Sequence, residues 1–171
     1  METTKQTSKD YFKTLTIVHM ALVGGIVFFS FTMEFLILNG INSTEMSELS
    51  TTFLYVVSGF VAFGFIASYL IYRKRVRDLK DESELINKMT GYRSAFIVRL
   101  ALLEGPAFFT IVIVFLTGNS LFLLFAGLIV GYMIYLRPTK EAVANDLELN
   151  PDDMSRIQHP DAIIAEILPR Y

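Results

Sequence analysis

AFIVRLALLEGPAFFTIVIVFLT, residues Ala95 to Thr117, is an apolar run long enough to cross a bilayer, yet it carries Arg99, Glu104 and Pro106. At ~1.5 Å rise per helical residue, Arg99 lies about 9 Å beyond the flanking Arg93 and Glu104 about 16 Å beyond it, near the middle of a ~30 Å hydrocarbon slab. A charge at that depth costs on the order of 2.5–3.5 kcal/mol on insertion scales, so it faces other helices or water and marks a candidate site.

Three further apolar runs surround this one. Leu15 to Leu38 has Glu34 as its only charge, Phe53 to Tyr72 has none, and Leu121 to Leu136 is extended at the interface by Asn119 and Ser120. With 171 residues, 53% of them hydrophobic and 19% charged, the chain is too apolar for an ordinary soluble domain and too short for a second bundle. The expected fold is an all-α four-helix transmembrane bundle over 1–137, with a cytoplasmic helical tail over 138–171. The first run is longer than a signal-peptide core and lacks a small-x-small site after it, so it is expected to stay in the mature protein.

Charge placement orients the bundle. Lys and Arg number three before the first run, none in the first loop, seven between the second and third runs, none in the next turn and four after the last. By the positive-inside rule both termini and the central stretch RKRVRDLKDESELINKMTGYR (Arg73 to Arg93) lie in the cytoplasm of a multi-pass inner-membrane protein. That stretch reads as a helical extension of the second span followed by a turn near Gly91. Tyr11, Tyr72, Tyr92 and Tyr135 near the span ends are expected to anchor at the interface. Asn42-Ser43-Thr44 matches a glycosylation acceptor, a match too short and too near the membrane to carry an argument.

The chain also repeats itself. Residues 17 to 40 and 97 to 120 agree without a gap at 10 of 24 positions, including Gly25/Gly105, Phe28/Phe108, Phe29/Phe109 and Asn39/Asn119. Two helical hairpins in tandem, related by a pseudo-twofold along the membrane normal, account for this. In that register His19 faces Arg99 and Gly24 stands where Glu104 does. Ala21-xxx-Gly25, Ala101-xxx-Gly105, Ser58-xxx-Ala62 and Gly127-xxx-Gly131 are small-xxx-small pairs suited to helix packing. In the tail, Thr139 and Asn150-Pro151-Asp152-Asp153 read as helix starts, and Asp161 to Leu168 as a short amphipathic segment with Ile163, Ile164, Ile167 and Leu168 on one face.

Arg99 and Glu104 are five apart, about 140° around an ideal helix, and need a distortion at Pro106 to meet. One reading is an internal Arg-Glu arrangement, joined by His19, that fixes packing; the other is a titrating carboxylate at Glu104 that binds a proton or ion. Glu34 reaches the outer interface and reads as a solvated edge residue. A bis-histidine haem is not expected, because His159, the second of two histidines, is in the tail. The absence of cysteine excludes disulfides, thiolate metal sites, iron-sulfur clusters and thiol redox chemistry. There is no Ser/His/Asp grouping, HExxH or Gly-rich phosphate loop, and a net charge of -2 gives no nucleic-acid signature. No catalytic activity, cofactor or metal is expected; the partners are the lipid bilayer and a second copy or another membrane protein.

At Arg99-Leu-Ala-Leu-Leu-Glu-Gly-Pro-Ala-Phe-Phe, Leu116-Thr-Gly-Asn, Arg137-Pro-Thr-Lys-Glu and Asp146-Leu, the chain resembles a family of small four-span bacterial membrane proteins to which no activity is attached. Ala101-Leu-Leu-Glu104 and its apolar continuation are also similar, over one helix, to the carboxylate helix of rotary ATP synthase proteolipids (subunit c). That similarity implies an ion-binding role for Glu104 alone.

Overall fold

The computed structural model describes residues 4–41 and 46–167; the Asn42-Ser43-Thr44 match, Leu168 and Arg170 lie outside them. The described chain is predominantly helical. A strand β1 (Thr4–Thr7) leads into α1 (Ser8–Leu38), and α2 (Ser50–Lys80) and α3 (Leu85–Thr117) follow. Then come α4 (Leu123–Tyr135), α5 (Lys140–Leu147), α6 (Pro151–Gln158) and β2 (Ile163–Ile167). Short 3-10 turns, Ser47–Leu49 and Ser120–Phe122, precede α2 and α4. The helices α1, α2 and α3 are each long and apolar enough to cross a membrane; the apolar segment Ser120–Tyr135 is shorter.

Local chemistry explains most boundaries. Thr7 Oγ1 accepts from the Asp10 backbone N–H and donates to the Asp10 carboxylate, closing the start of α1. Gly40 and Gly118 stand just past α1 and α3 with φ of +74° and +66°, values that favour glycine at a helix end. Thr139 and Asn150 cap α5 and α6 by accepting from Ala142 N and Asp153 N, as their sequence signatures indicate.

Two expectations are corrected. The turn between α2 and α3 falls before Leu85, and Gly91 lies inside α3, where the missing side chain makes room for Leu79. The segment 161–168, read as helical, instead supplies β2, which pairs antiparallel with β1 in the register Lys5↔Glu166 and Gln6↔Ala165. Its apolar spacing suits a helix, but its isoleucines are β-branched and the extended N-terminal strand offers an edge to pair with.

The described residues form two compact units. The first contains 4–19, 70–99 and 137–167. Its core includes Tyr11, Leu15, Met89, Tyr92, Phe96, Val143, Leu147, Ile157 and Ile164. Ser8 ties the N-terminus to the tail: its N–H donates to Ala162 O at 2.9 Å and its Oγ to Ile157 O at 2.5 Å.

The second unit contains 20–69 and 100–136. Its interior is built from Ile26, Val57, Leu100, Leu103, Ile111, Val114, Ile129 and Met133, with T-shaped ring contacts Phe29–Phe108 and Phe60–Phe109 at 5.5 and 5.2 Å. Phe28, Phe31, Phe35, Tyr55, Phe63, Leu121 and Leu124 all point outward and exposed. An outer surface this apolar suits hydrocarbon as its solvent. Half of the apolar window of α3 is buried, against 11% and 22% for α1 and α2.

Candidate functional site

The polar residues of the first unit converge where the apolar part of α2 ends. Tyr72 closes that apolar run, Tyr92 and Arg99 sit two turns apart on one face of α3, and Asp146 comes from α5. The Tyr72 hydroxyl donates to Asp146 Oδ2 at 2.5 Å, and the Tyr92 hydroxyl lies 3.0 Å from that of Tyr72 and 3.4 Å from the same carboxylate oxygen. The Arg99 guanidinium lies over the Tyr72 ring, 4.1 Å from its centre. Burial raises the proton affinity of the Tyr92 phenol, which keeps it a donor. A carboxylate with two phenol partners, beside a guanidinium held on an aromatic face, joins α2, α3 and α5 and leaves little charge uncompensated.

A second polar contact supports the same unit. The Tyr11 hydroxyl donates to Met89 O at 2.7 Å, the Arg93 guanidinium lies 5.0 Å from the Tyr11 ring centre, and buried His19 has its ring 6.1 Å from that of Phe96. The expectation of four interfacial tyrosine anchors is therefore corrected. Tyr11, Tyr72 and Tyr92 are 1%, 6% and 2% exposed, whereas Tyr135 is 81% exposed. The buried three have internal partners for their hydroxyls, so they do not need the interface to satisfy them.

Glu104 belongs to the second unit, is half-buried, and takes part in no hydrogen bond or ion pair among the described residues. The Arg99–Glu104 ion pair considered from the sequence is thus not formed. Five residues of separation turn the carboxylate away, and α3 continues through Pro106 without a break. Glu34 accepts from Ser120 Oγ at 2.8 and 3.0 Å, linking α1 to the turn before α4.

The small residues divide into two groups. A Cβ added at Gly25, Gly105, Gly127 or Gly131 would meet nothing within 4 Å, and Ala21 and Ala101 are exposed. Pro106 is buried, and the residue packed against it is Gly64, where an added Cβ would lie 2.6 Å from Pro106 Cγ and 3.0 Å from Leu102 O. That carbonyl is the one that Pro106, lacking an N–H, leaves without its helical donor. Gly64, Tyr72, Tyr92 and Asp146 escape a sequence reading centred on intramembrane charge. The signal available for Asp146 is that Gly59 with Asp78-Leu79 can be set against Gly127 with Asp146-Leu147 if the loops are allowed to differ in length.

Among the described residues no group of three or more His, Asp or Glu is placed to hold a metal ion. Comparison with protein-family models, curated proteins and solved structures finds no match.

Proposed function

We propose that this is a four-span integral membrane protein of the inner membrane, built as two tandem hairpins with both termini in the cytoplasm. In this reading it acts without catalysis, as a structural or accessory component that works through helix packing. The observation that carries the reading is the outward placement of Ala21, Gly25, Ala101, Gly105, Gly127 and Gly131, which leaves close-approach faces open to lipid, a second copy or another membrane protein. The tandem hairpins draw support from their matching construction: a long helix, a glycine of positive φ, a 3-10 turn and a second apolar helix, twice over.

A second reading draws on one observation, the unpaired and half-buried Glu104 in the middle of α3. A carboxylate there suits the binding of a translocated proton or ion, the role that the likeness to ATP synthase proteolipids implies. Carbodiimide modification combined with an ion-flux assay in liposomes separates the two, because the reagent needs the protonated acid and an unpaired Glu104 is open to it in either reading. An accessory protein passes no protons or ions down an imposed gradient, with or without the reagent. A flux that the reagent and Glu104→Gln both abolish, with the variant still assembled, overturns the accessory reading.

A further inference from the structure

On the first unit, a cavity of about 240 Å³ opens beside the Tyr72–Asp146 contact, lined by Tyr72, Arg73, Val76, Arg77, Lys80, Asn145 and Asp146. We infer that Arg73, Arg77 and Lys80, with the Asn145 amide, form a binding site for a phosphate-bearing anion. The three cations follow at intervals of four and three residues and so share one face of α2, while Lys74 and Arg75 of the same basic run do not line the cavity. Arg75 is engaged elsewhere, with Nη1 3.5 Å from Ser94 Oγ.

The charge balance within the cavity favours an anion. With Lys80 paired to Glu148, Arg73 and Arg77 still face the one carboxylate of Asp146, whose oxygen that accepts from Tyr72 is already held by phenol hydroxyls. Lys80 is drawn to one end of the row by Glu148 at 2.6 Å. Arg77 takes part in no hydrogen bond or ion pair among the described residues. A planar guanidinium presents a fork of donors that matches phosphate oxygens, and Asn145 adds a neutral donor across the cavity. The volume is below the ~300 Å³ at which sites for drug-sized ligands begin, and suits a small group such as a headgroup phosphate.

Position along the chain agrees with size and charge. Arg73 is the first charge after the twenty uncharged residues Phe53 to Tyr72, so in the proposed topology it stands at headgroup level on the cytoplasmic side. Arg77 and Lys80 lie about 6 and 10 Å further along the helix. The anionic leaflet would draw its lipids toward such a row. The same phosphate chemistry is offered by a soluble phosphate; the lipid source rests on the membrane reading above, and the soluble source does not.

The test is thermal melting of the full chain in a neutral detergent, titrated separately with dioctanoyl-phosphatidylglycerol, dioctanoyl-phosphatidylcholine and inorganic phosphate. The expected result is a saturable rise in melting temperature with phosphatidylglycerol, inorganic phosphate or both, and none with the zwitterionic lipid; which anion acts identifies the source. Arg77→Gln, at an exposed position, is expected to weaken the effect at least about tenfold, the loss of one charged hydrogen bond. Lys74→Gln, which removes the same charge outside the cavity, is expected to leave it unchanged. The inference is overturned if neither anion shifts the melt, if phosphatidylcholine shifts it equally, or if Arg77→Gln and Lys74→Gln respond alike. Because the soluble arm does not depend on span assignment, failure of both arms counts against this site and not against the topology.

Discussion

The Arg99 guanidinium lies 4.1 Å from the centre of the Tyr72 ring, and the hydroxyl of that ring donates to Asp146. One side chain thereby holds a cation on its face and an anion at its tip. Arg99→Ala removes the cation, and a desolvated cation–π contact contributes up to about 2 kcal/mol. Among the described residues Glu34 bonds to Ser120 alone, at a partly exposed site, so Glu34→Ala is expected to cost less. Melting of the purified variants checks this, and equal midpoints would remove Arg99 from the framework.

Tyr72→Phe keeps the ring beneath Arg99 and deletes the donor to Asp146. Hydrogen bonds to charged groups contribute about 1.5–3 kcal/mol, so the variant is expected to melt lower by that order. Combining it with Asp146→Ala should cost less than the sum of the two single changes, because each removes the same contact. Strict additivity would show that the phenol and the carboxylate do not interact.

Gly64→Ala places a methyl group 2.6 Å from Pro106 Cγ, and overpacking of this kind costs typically about 1–3 kcal/mol. Gly105→Ala, whose added methyl meets nothing within 4 Å, is expected to melt at or above the wild type, since alanine replaces glycine in a helix interior. The reverse order would place the close approach of α2 and α3 elsewhere.

The pairing of β1 with β2 sets Lys5 opposite Glu166. Opposed residues of an antiparallel pair have Cα atoms about 4.5–5.5 Å apart, within disulfide range. The chain has no cysteine of its own, so Lys5→Cys with Glu166→Cys should form one intramolecular bridge on oxidation, seen as a mass loss of two hydrogens. Lys5→Cys with Asp161→Cys, outside the ladder, should not bridge with comparable yield.

The three long helices, the extension of α2 past Tyr72 and the caps at Thr139 and Asn150 were legible because each follows from local chemistry: a long apolar run, its charged continuation, or a side chain placed to accept a backbone N–H. The strand at Ile163 was not, because its partner lies at the other end of the chain and nothing local distinguishes a short apolar segment waiting for an edge from one turn of helix. The site failed to be legible for a related reason. Arg99 announces itself by depth, but Tyr72, which looked like an interfacial anchor, and Asp146, in an ordinary polar tail, acquire their roles only when α2, α3 and α5 meet. The aligned Asn39 and Asn119 give a sharper case: Asn39 bonds back to Phe35 O, whereas Asn119 caps the turn that follows it.

The proposed topology is a fourfold crossing with both tails and the basic stretch on the cytoplasmic side. A chain without cysteine allows it to be read directly by placing single cysteines at Gly40, Asp81, Asn119 and Asp161 and treating intact spheroplasts with a membrane-impermeant maleimide. Labelling is expected at 40 and 119 in intact spheroplasts and at 81 and 161 only after lysis. Labelling at 81 or 161 in sealed spheroplasts, or protection of 119, would contradict it.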